Sequence, residues 1–339
     1  MHIDHESGIS VSVDDPSQVG EARRSASAIA TAAGLNETEA GKFALIATEA
    51  ATNISKHAQR GEIILRSITG PGMRAAADLI AIDSGPGIAN LDRALGDGYS
   101  TAGTSGHGLG AISRLASEFD IYTTAGVGTV LCARVTHEPV IRTAAPPAYD
   151  VGVVRVPKRG ETACGDDWSF TVDDVGRALL TVADGLGHGI AAAEAASRAV
   201  MIGAERAAEQ PAMVLSSIHS GLRPTRGAAV AVAELANSCV RFAGLGNIGA
   251  SIVSARDSRS LVSHNGIAGH EMRKIQEFSY DWPADSLLVV HSDGLSTRWD
   301  LAKYPGLVSR HPSVVAGVLY RDFTRGRDDA LVVVVRAVM

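Results

Sequence analysis

Two clusters of glycine constrain the first half of this chain more than any other feature. The first follows the apolar run that ends at Ile82 and comprises Asp83, Gly85 and Gly87; the second comprises Gly103, Gly106, Gly108 and Gly110. Glycine has no Cβ, so backbone N–H groups can come close to a ligand. The second cluster opens into the helix-like run AISRLASEF, and helix N-termini attract phosphate. Together the clusters predict a phosphate or nucleotide site rather than two tight turns.

The residues before these clusters predict two helices between strands. Strands are expected at 8–13, 61–68 and 77–82 from their apolar alternation and flanking turns. Asp15 followed by Pro16 predicts a helix start, with the helix running to about Ala33 and ending at Gly34. Asn36 with Glu39 three positions later has the pattern of a capping box, which predicts a second helix over about 37–58.

The second helix carries a polar set opposite its apolar face. Glu49, Asn53, Lys56 and His57 share that side of the helix. The spacing alone fits either a solvated surface or a functional set. Further along, the pattern over 120–135 predicts a hairpin that turns at Gly126–Gly128.

Length and composition indicate two domains in a reducing compartment. The 339 residues can form two cores, and the proline-rich segment 137–149 places the boundary, giving domains at 1–138 and 150–339 with a linker at 139–149. The net charge of −6 argues against nucleic acid or an anionic membrane surface as a partner. No apolar run is long enough to span a bilayer, and three widely separated cysteines fit a cytoplasmic protein.

Acidic residues recur where the apolar strands of the second half end. They are Asp166, Asp184, Asp293 and Asp328. A single Asp-Gly pair is most often a turn, but four such positions predict a shared site for Mg²⁺ or Mn²⁺, which prefer oxygen ligands. Two such ions can hold a phosphoryl group and activate water. The segment GLGNIG at 244–249 is expected in a hairpin with no helix after it, which argues against a dinucleotide site, and His188 is expected in a structural turn.

The first half resembles the ATPase/kinase fold of gyrase, heat-shock chaperone and histidine kinase (GHKL) ATP domains. The likeness is to small anti-sigma-factor serine/threonine kinases, especially RsbT-type switch kinases of the stressosome. It rests on EAATNISKHA, IAIDSGPGI and the lid-like segment DGYSTAGTSGHGLG. The resemblance implies that Asn53 holds the Mg²⁺ of ATP and that Glu49 orients or deprotonates the attacking hydroxyl. Further ATP contacts are implied for Asp83, Gly85, Gly87, Gly106, Gly108, Gly110 and Thr129.

The second half resembles the metal-dependent protein phosphatases (PPM, or protein phosphatase 2C type) of the compact SpoIIE-like and RsbX-like branch. CGDDW, VADGLGHG, RGAAVAV, GLGNIG, HSDGL and GRDDAL occur in the order of that family. The resemblance implies two Mn²⁺ or Mg²⁺ ions held by Asp166, Asp184, the Gly185 carbonyl, Asp293 and Asp328, with Asp167 and Asp329 as neighbouring alternatives. Larger relatives bind phosphate with an arginine near the domain start, where Arg155 and Arg159 are weak candidates.

These resemblances imply an α/β (α+β) protein of two domains. The first is an ATP-binding sandwich of a mixed sheet and helices, and the second is a β-sandwich flanked by helices. The function they imply is a bifunctional switch protein that phosphorylates and dephosphorylates a STAS-domain partner, an anti-sigma antagonist or stressosome scaffold. In the alternative, only the phosphatase turns over, and the first domain binds ATP or sequesters a sigma factor or other regulator.

Overall fold

The computed structural model divides between Ala145 and Pro146 into two compact units. It describes residues 8–58, 60–68, 75–96, 108–137, 148–236, 238–272 and 274–338. The division falls inside the segment predicted to be the linker. None of the described helices is both long and apolar enough to cross a membrane.

The first unit is a sheet with helices on one face. Its strands are β1 (Gly8–Ser12), β2 (Gly61–Ile68), β3 (Ala76–Asp83), β4 (Glu118–Thr124) and β5 (Gly128–Thr136), in the spatial order β1-β2-β3-β5-β4. Its helices are α1 (Gln18–Ala32), α2 (Glu37–Asn53), α3 (Leu91–Leu95) and α4 (Gly108–Leu115), and a π-helical turn at Ile54–Ala58 follows α2.

The prediction of a mixed sheet is wrong for the described strands, since all four of their pairings are antiparallel. Two helices separate β1 from β2 and return the chain in the opposite direction. A β4–β5 hairpin then adds to β3. The predicted strands and hairpin are confirmed, with the hairpin turn lying between Thr124 and Gly128.

Local hydrogen bonds explain where α1 and α2 begin. Asn36 accepts from the Glu39 N–H and the Glu39 carboxylate accepts from the Asn36 N–H, so the predicted capping box is present. α1 begins at Gln18, two residues later than predicted. Asp15 accepts from the Ser17 N–H and Gln18 accepts from the Asp15 N–H, so these side chains stabilise a turn that precedes the helix.

The core of this unit lies between α1, α2 and one face of the sheet. Phe43, Ile46 and Ala50 of α2 are buried together with Ile63 of β2 and Leu79 of β3. Alanines along both helices allow their backbones to approach each other and the sheet closely. The buried face of α2 therefore fixes the side on which its polar residues emerge.

The second unit is a β-sandwich with helices on both outer faces. The strands are β6 (Tyr149–Val156), β7 (Asp166–Val172), β8 (Ala178–Gly185), β9 (Ala228–Ala236), β10 (Cys239–Leu245), β11 (Gly249–Val253), β12 (Ser258–Ser260), β13 (Ser263–His264), β14 (Phe278–Asp281), β15 (Leu287–His291) and β16 (Ala330–Ala337). One sheet has the order β13-β10-β9-β8-β7 with β14 paired to β10, and the other has the order β12-β11-β15-β16-β6. Helices α5 (Ile190–Glu205) and α6 (Pro211–Gly221) pack on the first sheet, and α7 (Pro312–Phe323) packs on the second.

The prediction of a hairpin around GLGNIG is wrong, because β10 and β11 belong to different sheets. Gly246, with φ +96°, lies in the turn that carries the chain from one sheet to the other. A Cβ at Gly246 would lie 2.5 Å from the Cβ of Ala229, so the crossing requires glycine there. The expectation that no helix follows this segment is confirmed.

The capping box of α2 gives a first testable prediction. Asn36→Ala removes the acceptor for the Glu39 N–H, so the free energy of unfolding should fall by about 1 kcal/mol. Asn36→Asp is the matched control, since aspartate caps a helix as well as asparagine does. Urea denaturation followed by far-ultraviolet circular dichroism measures both variants, and equal losses would mean that the cap does not stabilise α2.

Candidate active sites

In the first unit, the C-terminal end of α2 faces the N-terminal end of α4. Glu49 and Asn53 lie one helical turn apart and are half-buried, whereas Lys56 and His57 are exposed. A Cβ built on Gly108 would lie 3.1 Å from both Glu49 Oε2 and Asn53 Oδ1. The polar set of α2 therefore divides into two residues that face the start of α4 and two that are solvated.

The helix geometry changes at the residue predicted to hold the cation. α2 ends at Asn53 and continues as the π-helical turn Ile54–Ala58. Short π-helical segments occur mostly at functional sites because they re-aim side chains. Gly110 is buried within α4, and Gly106 lies outside the described residues.

Asp83 is held at the end of β3 by two backbone donors. Its Oδ1 accepts from the N–H of Gly85 at 2.8 Å and from that of Thr129 at 3.2 Å. Thr129 is buried, and its hydroxyl lies 3.1 Å from the Thr123 hydroxyl. Three residues that the resemblance assigns to ATP contacts, Asp83, Gly85 and Thr129, thus share one network, which fixes the orientation of the Asp83 carboxylate.

Gly85 and Gly87 are required by the protein's own packing. A Cβ at Gly85 would lie 2.7 Å from the Cβ of Ala58, and one at Gly87, which has φ +70°, would lie 2.4 Å from the Thr124 carbonyl oxygen. Either side chain would push apart the turn after β3, the π-helical turn and the end of β4. The glycines that the sequence associates with a ligand therefore also close the structure around Asp83.

In the second unit, the four predicted aspartates form a cluster in which each carboxylate affects another. Asp166 and Asp184 are directly opposite each other on β7 and β8. Burial and the charge of Asp184 raise the pKa of Asp166 well above its usual range. Burial and the charges of Asp293 and Asp328 raise the pKa of Asp184 to about 7. Burial and the charge of Asp328 also raise the pKa of Asp293.

Asp167 and Asp329, which the sequence left open as alternatives to Asp166 and Asp328, have distinct environments. Asp167 accepts from the Trp168 N–H and the Ser197 hydroxyl, contacts that tie β7 to α5. Asp329 is buried: its Oδ1 accepts from the Lys158 N–H, and its Oδ2 has no hydrogen-bond partner in the described residues.

Asp329 joins the cluster, and the adjacent Asp328 lies at its exposed edge. The charge of Asp329 acts on both Asp166 and Asp184. A Cβ at Gly165 would lie 2.7 Å from Asp329 Oδ2, so glycine leaves room for this oxygen. Asp328 is exposed and accepts from the Asp329 N–H, and its charge still reaches Asp184 and Asp293.

Gly185 and Ser292 shape the inner end of the cluster. Gly185 approaches α5 so closely that a Cβ would lie 2.1 Å from the Ala192 carbonyl oxygen. The fully buried Ser292 donates its hydroxyl to Asp166 Oδ2 at 2.6 Å and accepts from the Leu331 N–H at 3.0 Å. One hydroxyl therefore links a carboxylate of the first sheet to a strand of the second. The sequence analysis missed Ser292, although it directly precedes Asp293 in HSDGL.

Asn247 is a second residue that the sequence analysis missed. Its side-chain amide donates to Asp293 Oδ2 at 2.6 Å. Its signal is that it supplies the one polar side chain in GLGNIG. The turn between the two sheets therefore delivers a donor to the carboxylate cluster.

The candidate arginines and His188 have structural contacts or lie in solvent. Arg155 donates to the carbonyl oxygens of Asp166 at 2.7 Å and Cys164 at 3.3 Å, so it fixes the backbone where β7 begins. Arg159 is exposed. His188 lies in the turn before α5, as expected, with its Nδ1 2.7 Å from Glu161 Oε1.

The chemistry of the carboxylate cluster fits a divalent cation. Among the described residues, no three His, Cys, Asp or Glu side chains meet the geometry of a formed metal site. The donors are nevertheless all carboxylate oxygens, one of which, Asp329 Oδ2, is buried without a partner. Their raised pKa values show that the negative charges oppose one another, and a hard cation with oxygen ligands would relieve this repulsion.

Comparison with known proteins finds a family match in each unit. The family described as "Histidine kinase-like ATPase domain" matches residues 13–135, and the family "Stage II sporulation protein E (SpoIIE)" matches residues 174–337. The serine/threonine-protein kinase RsbT of Bacillus subtilis (strain 168) is 32% identical over 105 residues, which cover 31% of this chain and 78% of RsbT. The chain belongs to the RsbT family. That relationship concerns its first unit.

Two solved structures are similar over a larger share of the chain. A chain from the structure described as "The bacterial stressosome: a modular system that has been adapted to control secondary messenger signaling" is 27% identical, with a TM-score of 0.52, and covers 56% of this chain and 99% of its own length. The crystal structure of RsbX in complex with magnesium is 20% identical, with a TM-score of 0.50, and covers 59% of this chain and 100% of RsbX. The latter likeness shows the fold alone.

The chain is therefore a fusion with the architecture of an enzyme. It joins a kinase-like ATPase domain of the RsbT family to a region that matches the SpoIIE family and has the fold of RsbX. The predicted fusion of these two domain types, the predicted fold class and the dual kinase/phosphatase architecture are confirmed. The roles of individual residues remain predictions.

The close approach at Gly108 gives a second testable prediction. In Gly108→Ala, the new methyl group would crowd Glu49 and Asn53, so ATP affinity in the presence of Mg²⁺ should fall by about tenfold, equivalent to about 1.4 kcal/mol. Gly41→Ala is the matched control, because Gly41 lies in α2, the helix that carries Glu49 and Asn53, and a Cβ on it meets nothing within 4 Å. Isothermal titration calorimetry with ATP compares the two variants. An unchanged ATP affinity in Gly108→Ala would place the nucleotide elsewhere.

The raised pKa of Asp184 gives a third testable prediction, for protein kept in a chelator. In the unfolded chain Asp184 ionises near its ordinary pKa of 3.8, but in the folded protein it ionises near 7. Its contribution to stability is therefore complete below the unfolded pKa and is lost as pH rises through about 7. Asp184→Asn removes this ionisation, so its Tm should exceed that of the unaltered protein at pH 8.

The excess in Tm should shrink toward pH 4, where the carboxyl is protonated in both states. Asp174→Asn is the control, because Asp174 is exposed in the turn between β7 and β8. Differential scanning calorimetry at several pH values measures the difference. A Tm difference that does not change with pH would show that Asp184 is not destabilised by its neighbours.

Proposed function

We propose that this chain is a bifunctional switch protein, with an ATP-dependent serine/threonine kinase in its first unit and a metal-dependent serine/threonine phosphatase in its second. The observation that carries the proposal is that each unit brings its own candidate reactive side chains together. Glu49 and Asn53 face Gly108 in the first unit, and a cluster of aspartates occupies the strand ends of the second.

In the kinase reaction, Glu49 would orient or deprotonate the attacking serine or threonine hydroxyl. Asn53 would hold the Mg²⁺ that accompanies ATP, and Asp83, fixed by the N–H groups of Gly85 and Thr129, would accept from the adenine amino group. Phosphoryl transfer depends mainly on positioning and on neutralising charge. The proximity of Glu49 and Asn53 to the N-terminus of α4 supports these roles, since that terminus favours an anion.

In the phosphatase reaction, Asp166, Asp184, Asp293 and the Gly185 carbonyl would hold Mn²⁺ or Mg²⁺, together with Asp328 and Asp329. When bound, these ions supply the positive charge that a phosphoryl group and an attacking water need. Ser292 orients Asp166 from within the protein, and Asn247 orients Asp293 from the turn between the sheets. These two donors limit the directions from which a cation could approach Asp166 and Asp293.

The partner that these activities would share is a STAS-domain protein in the cytoplasm, an anti-sigma antagonist or a stressosome scaffold. The relationship to RsbT and the similarity to a chain of a stressosome structure support this choice. Joining both activities in one chain raises the effective concentration of each at a partner bound by the other. A shared partner explains why two opposed activities occur together.

The deciding experiment follows labelled phosphate on a STAS-domain protein of the same organism. The full-length protein is incubated with it, labelled ATP and Mg²⁺, and Mn²⁺ is then added. Label should appear on the partner and leave as inorganic phosphate. Glu49→Gln should lower transfer by about 100-fold or more with little change in ATP affinity. Exposed Glu37, at the start of the same helix, provides the control Glu37→Gln.

A second pair of variants isolates phosphate removal. Asp184→Asn should weaken Mn²⁺ binding at least tenfold and leave the label on the partner, whereas Asp174→Asn should behave as the unaltered protein. If Asp184→Asn accumulates no label, the first unit is not a kinase for that partner and acts as a binding module for a regulated phosphatase. Mn²⁺-dependent removal that survives Asp184→Asn would refute the assignment of the metal site.

A further inference from the structure

A phosphatase site made of carboxylates repels the phosphate that it must bind. Bound cations offset part of this repulsion, and an arginine beside them can bind the phosphoryl oxygens directly through paired N–H donors. Arg155, near the domain start, donates to two backbone carbonyl oxygens, at Asp166 and Cys164. The structure therefore points to another source of positive charge.

The loop between α7 and β16 brings an arginine to the cluster. The Arg325 N–H donates to the Gly294 carbonyl oxygen at 2.8 Å, and Thr324 pairs with Leu295 in an isolated bridge. The backbone of Arg325 is thus fixed beside the residue that follows Asp293. Asp328 lies three positions further along the same loop.

The Arg325 side chain is exposed, and the backbone hydrogen bond to Gly294 keeps this residue at the edge of the cluster. In the part of the chain that the structure describes, no hydrogen bond or ion pair involves the Arg325 guanidinium. Arg325 is therefore a cation at the edge of the carboxylate cluster whose donors are not used by another protein group.

We propose that Arg325 binds the phosphoryl group of the phosphoserine or phosphothreonine substrate, and the free phosphate product, at the mouth of the aspartate cluster. The inference rests on the proposed phosphatase function and assigns the recognition of the phosphate within it. A guanidinium presents parallel N–H donors that match two phosphate oxygens, and it stays charged at every physiological pH. Its place beside Asp293 would put those donors on the exposed side of the bound cations.

Arg226 is another exposed arginine near the strand ends. Arg226 Nη1 would lie 3.4 Å from a Cβ on Gly187, in the turn that follows Asp184 and Gly185. Its contact is with the turn, whereas the backbone of Arg325 is hydrogen-bonded to Gly294, which directly follows Asp293 of the cluster. Arg226 is therefore the competing candidate that the experiment must separate from Arg325.

The experiment measures the binding of inorganic phosphate to the full-length protein in excess Mn²⁺, by isothermal titration. Arg325→Ala should weaken this binding by about tenfold or more, the effect of losing charged hydrogen bonds. Arg325→Lys should fall between, because lysine keeps the charge but not the two-donor geometry. Arg327→Ala is the matched control, an exposed arginine of the same loop, and should bind phosphate as the unaltered protein does.

Kinetics and metal binding separate this role from others. With a phosphoserine peptide, Arg325→Ala should raise KM and the inhibition constant of phosphate together, by about tenfold, with a smaller effect on kcat. The affinity for Mn²⁺ alone should not fall, because removing a nearby positive charge removes a source of repulsion for the bound cation. Equal phosphate affinity in the Arg325→Ala and Arg327→Ala proteins would overturn the inference. So would a loss confined to Arg226→Ala, or a loss of Mn²⁺ affinity that accounts for the whole effect.

Failure of the proposed phosphatase function has a different signature. The unaltered protein would then hydrolyse no phosphopeptide in Mn²⁺, and Asp184→Asn would change nothing. Phosphate titration tests Arg325 in either case, because it requires no turnover. Weaker phosphate binding by Arg325→Ala alone would still support the assigned site, and phosphate binding that does not depend on Arg325 would refute it.

Discussion

Repulsion between carboxylates held at the ends of buried strands is the constraint on which the second unit depends. Asp166, Asp184 and Asp293 each have a raised pKa because burial and neighbouring negative charges act together. Flexible loops would let such groups move apart. Here they extend from strands that are buried along most of their length, β7, β8 and β15, so the packing of the sandwich resists their separation.

In the first unit, the geometry of the candidate site depends on missing side chains rather than on opposing charges. Missing side chains at Gly85, Gly87 and Gly108 let the turn after β3 and the start of α4 approach their neighbours, in the last case Glu49 and Asn53. Close backbone approach exposes N–H groups to a ligand without intervening carbon. Under the proposed function, the two units would bind phosphate by opposite means, one by bringing backbone donors close and the other by concentrating negative charge that a cation must balance.

Local patterns predicted the elements of the fold, because their causes are local. The capping residues of α2, the glycine that ends α1 and the alternation of β2 each act within a few residues. Long-range choices were not predictable. The turn at Gly246 could have closed a hairpin or crossed between sheets, and only the facing sheet decides. Likewise, strand alternation shows that Asp166 and Asp167 point to opposite faces of the sheet. The strand itself does not show that the Ser197 hydroxyl on α5 donates a hydrogen bond to Asp167.

The side chains around the aspartates form a gradient from the interior to the surface. Asp166 and Asp329 are buried and are held by Ser292 and by the Lys158 N–H. Asp293 is half-buried and is contacted by Asn247, and Asp328 is exposed. Buried donors cannot rearrange without leaving a carboxylate unsatisfied, so the inner end is rigid. Solvated side chains can move at modest cost, so under the proposed phosphatase function adaptation to a protein substrate would be confined to the outer end, where Arg325 lies.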